Sequence, residues 1–277
     1  MKRPRKNLSR ASSLVAAAVV LGLAGCGGGQ PEGAADRVRL TVNVPCVLSA
    51  PMQGVVAAYE SARPGVAVTT EVDKPLGLLA RAQAQPEGPA VIITMGDVEM
   101  GYLAEHGAVE ASEVRTIAWN TYPLAVVAPA ASEAELDDLN DLALPAVRGI
   151  YIEDPSQSSL GDRAERAMRS LGLWEAIEPK ILRPDPNAMV LGEMLAGKAD
   201  AAVVFEDCLF AEAGVEGSPP ATVKVVGELP EEAYQAIPYQ AAALRGAPQP
   251  EAARDFLDFL TSAEGREALR GAGLSPA

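Results

Sequence analysis

Histidine is almost absent from this chain of 277 residues: there is one, His106. A single imidazole leaves little scope for a His-activated nucleophile, and no G-x-S-x-G, H-E-x-x-H, P-loop or C-x-x-C stretch stands elsewhere. The expectation is a protein that is not an enzyme and carries no cofactor and no resident metal. Aromatic residues make up only 4%, against 48% hydrophobic residues in all. Basic residues are scarce too. Lys and Arg number 23 against 37 Asp and Glu, for a net charge of −14. Five of the 23 lie in the first ten residues, "MKRPRKNLSR". The remainder of the chain is acidic enough to be a poor partner for nucleic acid or an anionic membrane face. Any anion it binds has to be held by local donors working against the overall field. The length suits one large domain or two small lobes.

The basic start leads into an apolar run, Leu14–Ala24, "LVAAAVVLGLA". Eleven residues are too few to span a bilayer and the right number for the core of a signal peptide. The run ends in "LAGC", Leu23 to Cys26, which resembles the bacterial lipobox. That resemblance implies cleavage before Cys26 and lipidation of its sulfur. Residues 1–25 are then a lipoprotein signal and 26–37 a flexible tether, "CGGGQPEGAADR".

From Val38 onward strand-like and helix-like patterns alternate. "VRLTVNV" (38–44), "VAVTTEV" (66–72), "AVIITM" (90–95), "YPLAVVAP" (122–129), "VRGIYIED" (147–154), "ADAAVVFED" (199–207), "VKVVGELP" (223–230) and "IPYQAAALRG" (237–246) read as strands. Between them "PMQGVVAAYESARPG" (51–65), "LGLLARAQAQ" (76–85), "DVEMGYLAEHG" (97–107), "LGDRAERAMRSLG" (160–172) and "AMVLGEMLAGK" (188–198) read as helices. A final helix over 250–273 breaks near Thr261–Ser262. Asp97 is the expected N-cap of its helix, and the alternation predicts parallel sheets covered by helices on both faces. The fold class is therefore α/β. Two long strands, "YPLAVVAP" and "IPYQAAAL", bracket a complete inner α/β unit. That pattern predicts two lobes joined by two crossing strands: residues 38–121 plus 239–277, and residues 122–238. In such sheets ligands sit at the carboxyl ends of strands, beside helix N-termini. "SQSSLG" (156–161), between a strand and a helix, reads as an anion-receiving turn.

In order and spacing these stretches resemble the bacterial periplasmic solute-binding proteins of the molybdate-binding type. The resemblance runs through "LTVNVPCVLSAPMQGVVAAYESARPGVAV", "LAVVAP", "IEDPSQSSLGDRAERAMRSLGLWEAIEPKIL", "GKADAAVVFEDC" and "PEAARDFLDFLTSAEGREALRGAGL". It implies a type II-like periplasmic binding fold with the ligand cleft between the lobes. It further implies a small oxyanion as ligand, delivery to an ABC permease, and no contact with the membrane except through a lipid anchor. The protein is expected at the cell envelope, on the periplasmic or extracellular face, as a monomer.

Carried over residue by residue, the family's ligand set falls on Val47, with Ser49 close by, then on the "DKPLG" loop (73–77), Leu160, Asn187 and Phe205. Ser158 and Ser159 stand ready as substitute donors. Three positions where the family has a hydroxyl have none here, namely Val47, the "DKPLG" loop and Phe205. Charge-assisted hydrogen bonds are worth roughly 1.5–3 kcal/mol each, so three losses would remove about 5 kcal/mol. The same carry-over puts Cys46 and Cys208 near the cleft. They could be a disulfide, a thiolate pair for a soft metal or metalloid ion, or two small core residues. A sensor lipoprotein on the same fold is a further alternative. The signal reading has a direct test. Wild type made in a bacterial host should incorporate labelled fatty acid, and Cys26→Ser should abolish it; equal labelling of both would contradict the assignment.

Overall fold

The computed structural model describes residues 37–72, 88–120, 123–132, 134–185, 190–206, 209 and 222–277. Among these residues eleven strands form two mixed sheets. The first contains β1 (Val38–Val44), β2 (Val66–Val72), β3 (Val91–Thr94), β4 (Arg115–Trp119), β10 (Pro238–Ala243) and β11 (Ser275–Pro276). Its order is β11-β4-β10-β3-β1-β2. The second contains β5 (Leu124–Pro129), β6 (Ile150–Tyr151), β7 (Ile181–Leu182), β8 (Ala201–Phe205) and β9 (Val223–Glu228), in the order β7-β6-β8-β5-β9.

Central strands explain themselves. β3 is "VIIT" and β8 is "AAVVF", buried along their whole length, as continuous apolar runs must be when both faces are covered. In β8 the alternation sorts side chains between two layers: Ala201, Val203 and Phe205 enter one core, Ala202 and Val204 the other. Helix α1 (Ser49–Ala62) buries Met52, Val55 and Tyr59 against the first sheet. Val56 and Ala58 are only half-buried. Tyr59 packs edge-on to Phe256 and Phe259 and donates its hydroxyl hydrogen to Asp255 Oδ2 at 2.9 Å. Those partners lie on α6 (Pro250–Thr261), so the C-terminal helices seal the first lobe. Ser262 ends α6 and caps α7 (Ala263–Gly271) by accepting from Gly265 N–H at 3.1 Å, which places the break where the sequence predicts it.

The expectation of parallel sheets is corrected. β1 runs parallel to β2 and β3, but β10 is antiparallel to both β3 and β4. In the second sheet β6 runs parallel to β7 and β8, whereas β5 is antiparallel to β8 and β9. The physical reason is the crossing. β4 leaves the first sheet at its carboxyl end, so β5 must enter the second sheet at the carboxyl end of β8, where Leu124 pairs with Phe205. β10 returns the same way, with Pro238 opposite Trp119. The two crossings are tied together by Asn120 N–H donating to Ile237 O at 2.8 Å. Each crossing strand then shifts register, at Tyr239–Gln240 and at Val126–Val127, where the strand bends into its sheet.

Some elements are shorter than their sequence patterns. The strand expected over 147–154 pairs only at Ile150–Tyr151, because Asp154 closes a turn by accepting from Ser156 N–H at 2.9 Å. The helix expected over 188–198 is described as α5 (Val190–Leu195), which follows the single turn α4 (Trp174–Ile177). The helix expected over 76–85 lies outside the described residues. The described residues belong to one compact unit, and both sheets present the carboxyl ends of their parallel strands toward the crossings.

Candidate functional site

Three helices start at those carboxyl ends. β1 leads into α1, β3 into α2 (Asp97–Glu105), and β6, through a turn, into α3 (Ser159–Ser170). The first turn of a helix leaves backbone N–H groups without intrahelical partners and carries a positive partial charge. Such ends attract anions.

The N-termini of α2 and α3 meet across the lobes, and each caps the other. Ser159 Oγ accepts from Val98 N–H in the first turn of α2 at 3.0 Å. Glu99, in that same first turn, accepts from Ser159 N–H at 2.9 Å on Oε1 and from Ser159 Oγ–H at 2.5 Å on Oε2. In an ordinary capping box the third helical residue reaches back to its own N-cap. Here Glu99 holds that position in α2 but reaches across to α3. No Cβ fits between the two: one built on Gly96 would lie 1.8 Å from Ser159 Oγ. Gly161 is constrained alike, since a Cβ there would lie 2.2 Å from Glu153 O.

An ion pair flanks the contact. Arg163 Nη2 lies 2.8 Å from Asp97 Oδ1 across the lobes, and Arg163 Nη1 lies 2.7 Å from Asp162 Oδ2. The Arg163 side chain is 4% exposed, while that of Asp97 is 44% exposed. Among the described residues the Arg163 Nε has no hydrogen-bond partner. Asp97 is thus not the N-cap that its position suggests. Gly96 holds that place, and the Asp97 carboxylate is drawn to the guanidinium instead. Met95 joins the lobes apolarly, packing against both main cores.

Glu99 is buried, and no cation among the described residues contacts it. Burial is the largest influence on its carboxyl and raises the pKa from 4.5 to about 7; the hydrogen bonds from Ser159 oppose this, and the Glu153 carboxylate adds to it.

Of the residues singled out from the sequence, Ser158 and Ser159 are buried, and both hydroxyls are engaged. Ser158 Oγ donates to Glu153 Oε2 at 2.5 Å and accepts from Gly161 N–H at 3.2 Å, which makes it the N-cap of α3. Leu160 sends its side chain into the second lobe's core, so only its backbone, in the first turn of α3, can serve a ligand. Val47 packs against the first lobe's core, and Ser49 is the half-buried first residue of α1. Phe205 ends β8 with its ring in the second lobe's core. The structure therefore brings Ser158, Ser159 and Leu160 together at one helix start and sets Phe205 at the end of a strand in the same lobe. Cys26, Asn187, Cys208, the "DKPLG" loop and the side chain of Cys46 lie outside the described residues. His106 ends α2, where its Nδ1 lies 2.8 Å from Tyr102 O and its ring stacks on Tyr102 with centroids 3.9 Å apart.

Sequence reasoning missed Glu99, Asp97 and Arg163 as a group. The available signal was two acids in the first turn of one helix and "SSLGDR" opening another, both after strands.

Two α/β lobes, paired crossings and facing helix N-termini define a two-lobed binding protein. The chain belongs to the family of bacterial extracellular solute-binding proteins, whose model matches residues 40–275. It is 25% identical over 246 residues to the molybdate-binding protein ModA of Escherichia coli K12, a match that spans 87% of this chain and 90% of that protein. Among solved structures, the periplasmic molybdate-binding protein of Azotobacter vinelandii superposes with a TM-score of 0.56 at 18% identity, covering 85% of this chain and 98% of that one. The sulfate-binding protein SubI of Mycobacterium tuberculosis H37Rv superposes with a TM-score of 0.60 at 16% identity, covering 87% and 88%. Among the described residues no helix is long and apolar enough to cross a membrane.

The buried carboxyl makes stability depend on pH with a definite sign. Between its unfolded value of 4.5 and its folded value of about 7, the folded state holds more protons, so stability falls as pH rises through that window and levels off above it. Glu99→Gln removes this slope. Relative to wild type, the variant should gain up to about 3 kcal/mol more at pH 8 than at pH 4.5, measured by urea unfolding at both. Parallel pH profiles for the two proteins would contradict the burial of an ionisable Glu99.

Proposed function

We propose that this chain is the extracytoplasmic substrate-binding component of an ABC importer, anchored by a lipid on Cys26, and that it takes a small oxyanion between its lobes. The observation that carries this reading is the start of α3. One backbone N–H and one hydroxyl of Ser159 hold both oxygens of a carboxylate there, so the turn already binds an anionic group in hydrogen-bonding geometry. The name of the Escherichia coli relative supports an oxyanion of the molybdate class. Delivery to a permease is inferred from the same relationship.

In this reading the ligand contacts are backbone amides in the opening turns of α1 and α3, near Val47, Ser49 and Leu160. The hydroxyls of Ser49 and Ser159 add to them, that of Ser158 only on release from Glu153, and the family resemblance adds Asn187 and Phe205 to the set. Residues 38–121 with 239–277 form one lobe and 122–238 the other, and closure of the two traps the ligand. No catalytic step is assigned to the chain.

The count of hydroxyls sets the expected affinity. Titration calorimetry with molybdate at neutral pH should give a dissociation constant weaker than about 10 µM, or about −7 kcal/mol. Submicromolar binding would show that backbone donors and the substitute serines suffice. No thermal shift with millimolar molybdate, tungstate, sulfate or phosphate would contradict the oxyanion reading, since a ligand at 100 times its dissociation constant adds about 2.7 kcal/mol.

A further inference from the structure

Glu99 is the only buried carboxylate among the described residues, and it sits on the donors that the proposed ligand would use. Among the described residues its surroundings offer no free compensating charge. On its own helix stands Asp97; on α3 stand Asp162 and Arg163; Glu153 lies just ahead of α3. Of these only Arg163 is cationic, and its guanidinium is taken by Asp97 and Asp162. The start of α3 is thus neutralised from within the chain.

We propose that Glu99 is a specificity-determining residue of the cleft that makes oxyanion binding proton-linked, with one proton taken up for each dianion admitted to the Ser159 donors. The inference rests on the oxyanion reading above and deepens it. An ionised Glu99 and an incoming dianion would compete for the same N–H and O–H, and would repel each other in a buried space. Protonation resolves both conflicts. The proton comes from solvent, adds to a Glu99 oxygen, and returns to solvent when the anion leaves. Neutral Glu99 is then a hydrogen-bond donor, which partly replaces the hydroxyls missing from Val47 and Phe205. Once Glu99 is protonated the Ser159 hydroxyl hydrogen is free to turn to the anion, while Ser159 Oγ goes on accepting from Val98 N–H. Burial already holds Glu99 near the point of protonation at neutral pH. An oxyanion that carries its own ionisable proton is favoured by the same logic, because it can donate that proton to the carboxylate.

The test uses mature wild type and Glu99→Gln with sulfate and molybdate, dianions that keep their charge between pH 6 and pH 8. For wild type, the dissociation constant should weaken about tenfold from pH 6 to pH 8, as one linked proton on a group near 7 requires. Calorimetry at pH 8 in buffers of different ionisation enthalpy should show uptake of close to one proton. Glu99→Gln should bind with no pH dependence and no proton uptake, and at pH 8 at least as tightly as wild type. Binding by wild type that is flat with pH and takes up no proton overturns the proposal, whether or not the variant folds. Equal pH dependence in a folded Glu99→Gln overturns it too, since the linked proton then belongs elsewhere. If neither dianion binds either protein at either pH, the oxyanion reading itself falls and the inference with it.

Discussion

The contact between Glu99 and Ser159 is the constraint on which the arrangement of the lobes depends. Two helix N-termini carry partial charges of the same sign and would repel if brought end to end. They meet here because each satisfies a donor at the other's start: the Ser159 hydroxyl oxygen takes Val98 N–H of α2, and the Glu99 carboxylate takes Ser159 N–H of α3, beside that helix's own cap Ser158. The Arg163–Asp97 pair adds a charged bridge alongside. Removing one partner of such a buried set costs more than the bond itself, because the other partner stays desolvated.

The rest of the fold serves this meeting. Parallel strands aim their carboxyl ends, and the helices attached to them, toward one edge of each sheet. Antiparallel entry of β5 and β10 turns those two edges toward each other, and the hydrogen bond between Asn120 and Ile237 ties the crossings side by side. Gly96 and Gly161 are needed for space rather than for backbone freedom. Gly96 is extended, and a methyl group there would displace Ser159. The same short distance that joins the lobes leaves the Ser159 donors with no spare capacity while Glu99 is ionised, which ties any anion binding to the state of that carboxyl.

Much of the scaffold was legible in the sequence because it is local. "VIIT" and "AAVVF" are unbroken apolar runs, α1 has its apolar spacing, and Ser262 marks the break between α6 and α7. Strand direction was not legible where it depends on topology, so the antiparallel crossing strands escaped a pattern that sees only alternation. "SQSSLG" reads as an anion-receiving turn, yet nothing local reveals that Ser159 holds the Glu99 carboxylate, from 60 residues away in the chain. Asp97 looks like an N-cap by position and is claimed instead by Arg163, 66 residues on. Contacts between lobes leave no periodic trace, and the site consists of such contacts.

The lobes bury an ionisable Glu99 against Ser159, and both the meeting of the helix ends and the proton linkage depend on it. A carbon-detected NMR titration of the Glu99 side-chain carboxyl in ligand-free protein tests this most directly, with Glu99→Gln providing the assignment. The expected midpoint lies near pH 7. A midpoint near the ordinary value of 4.5 would mean a solvated carboxylate and lobes that do not meet at this point.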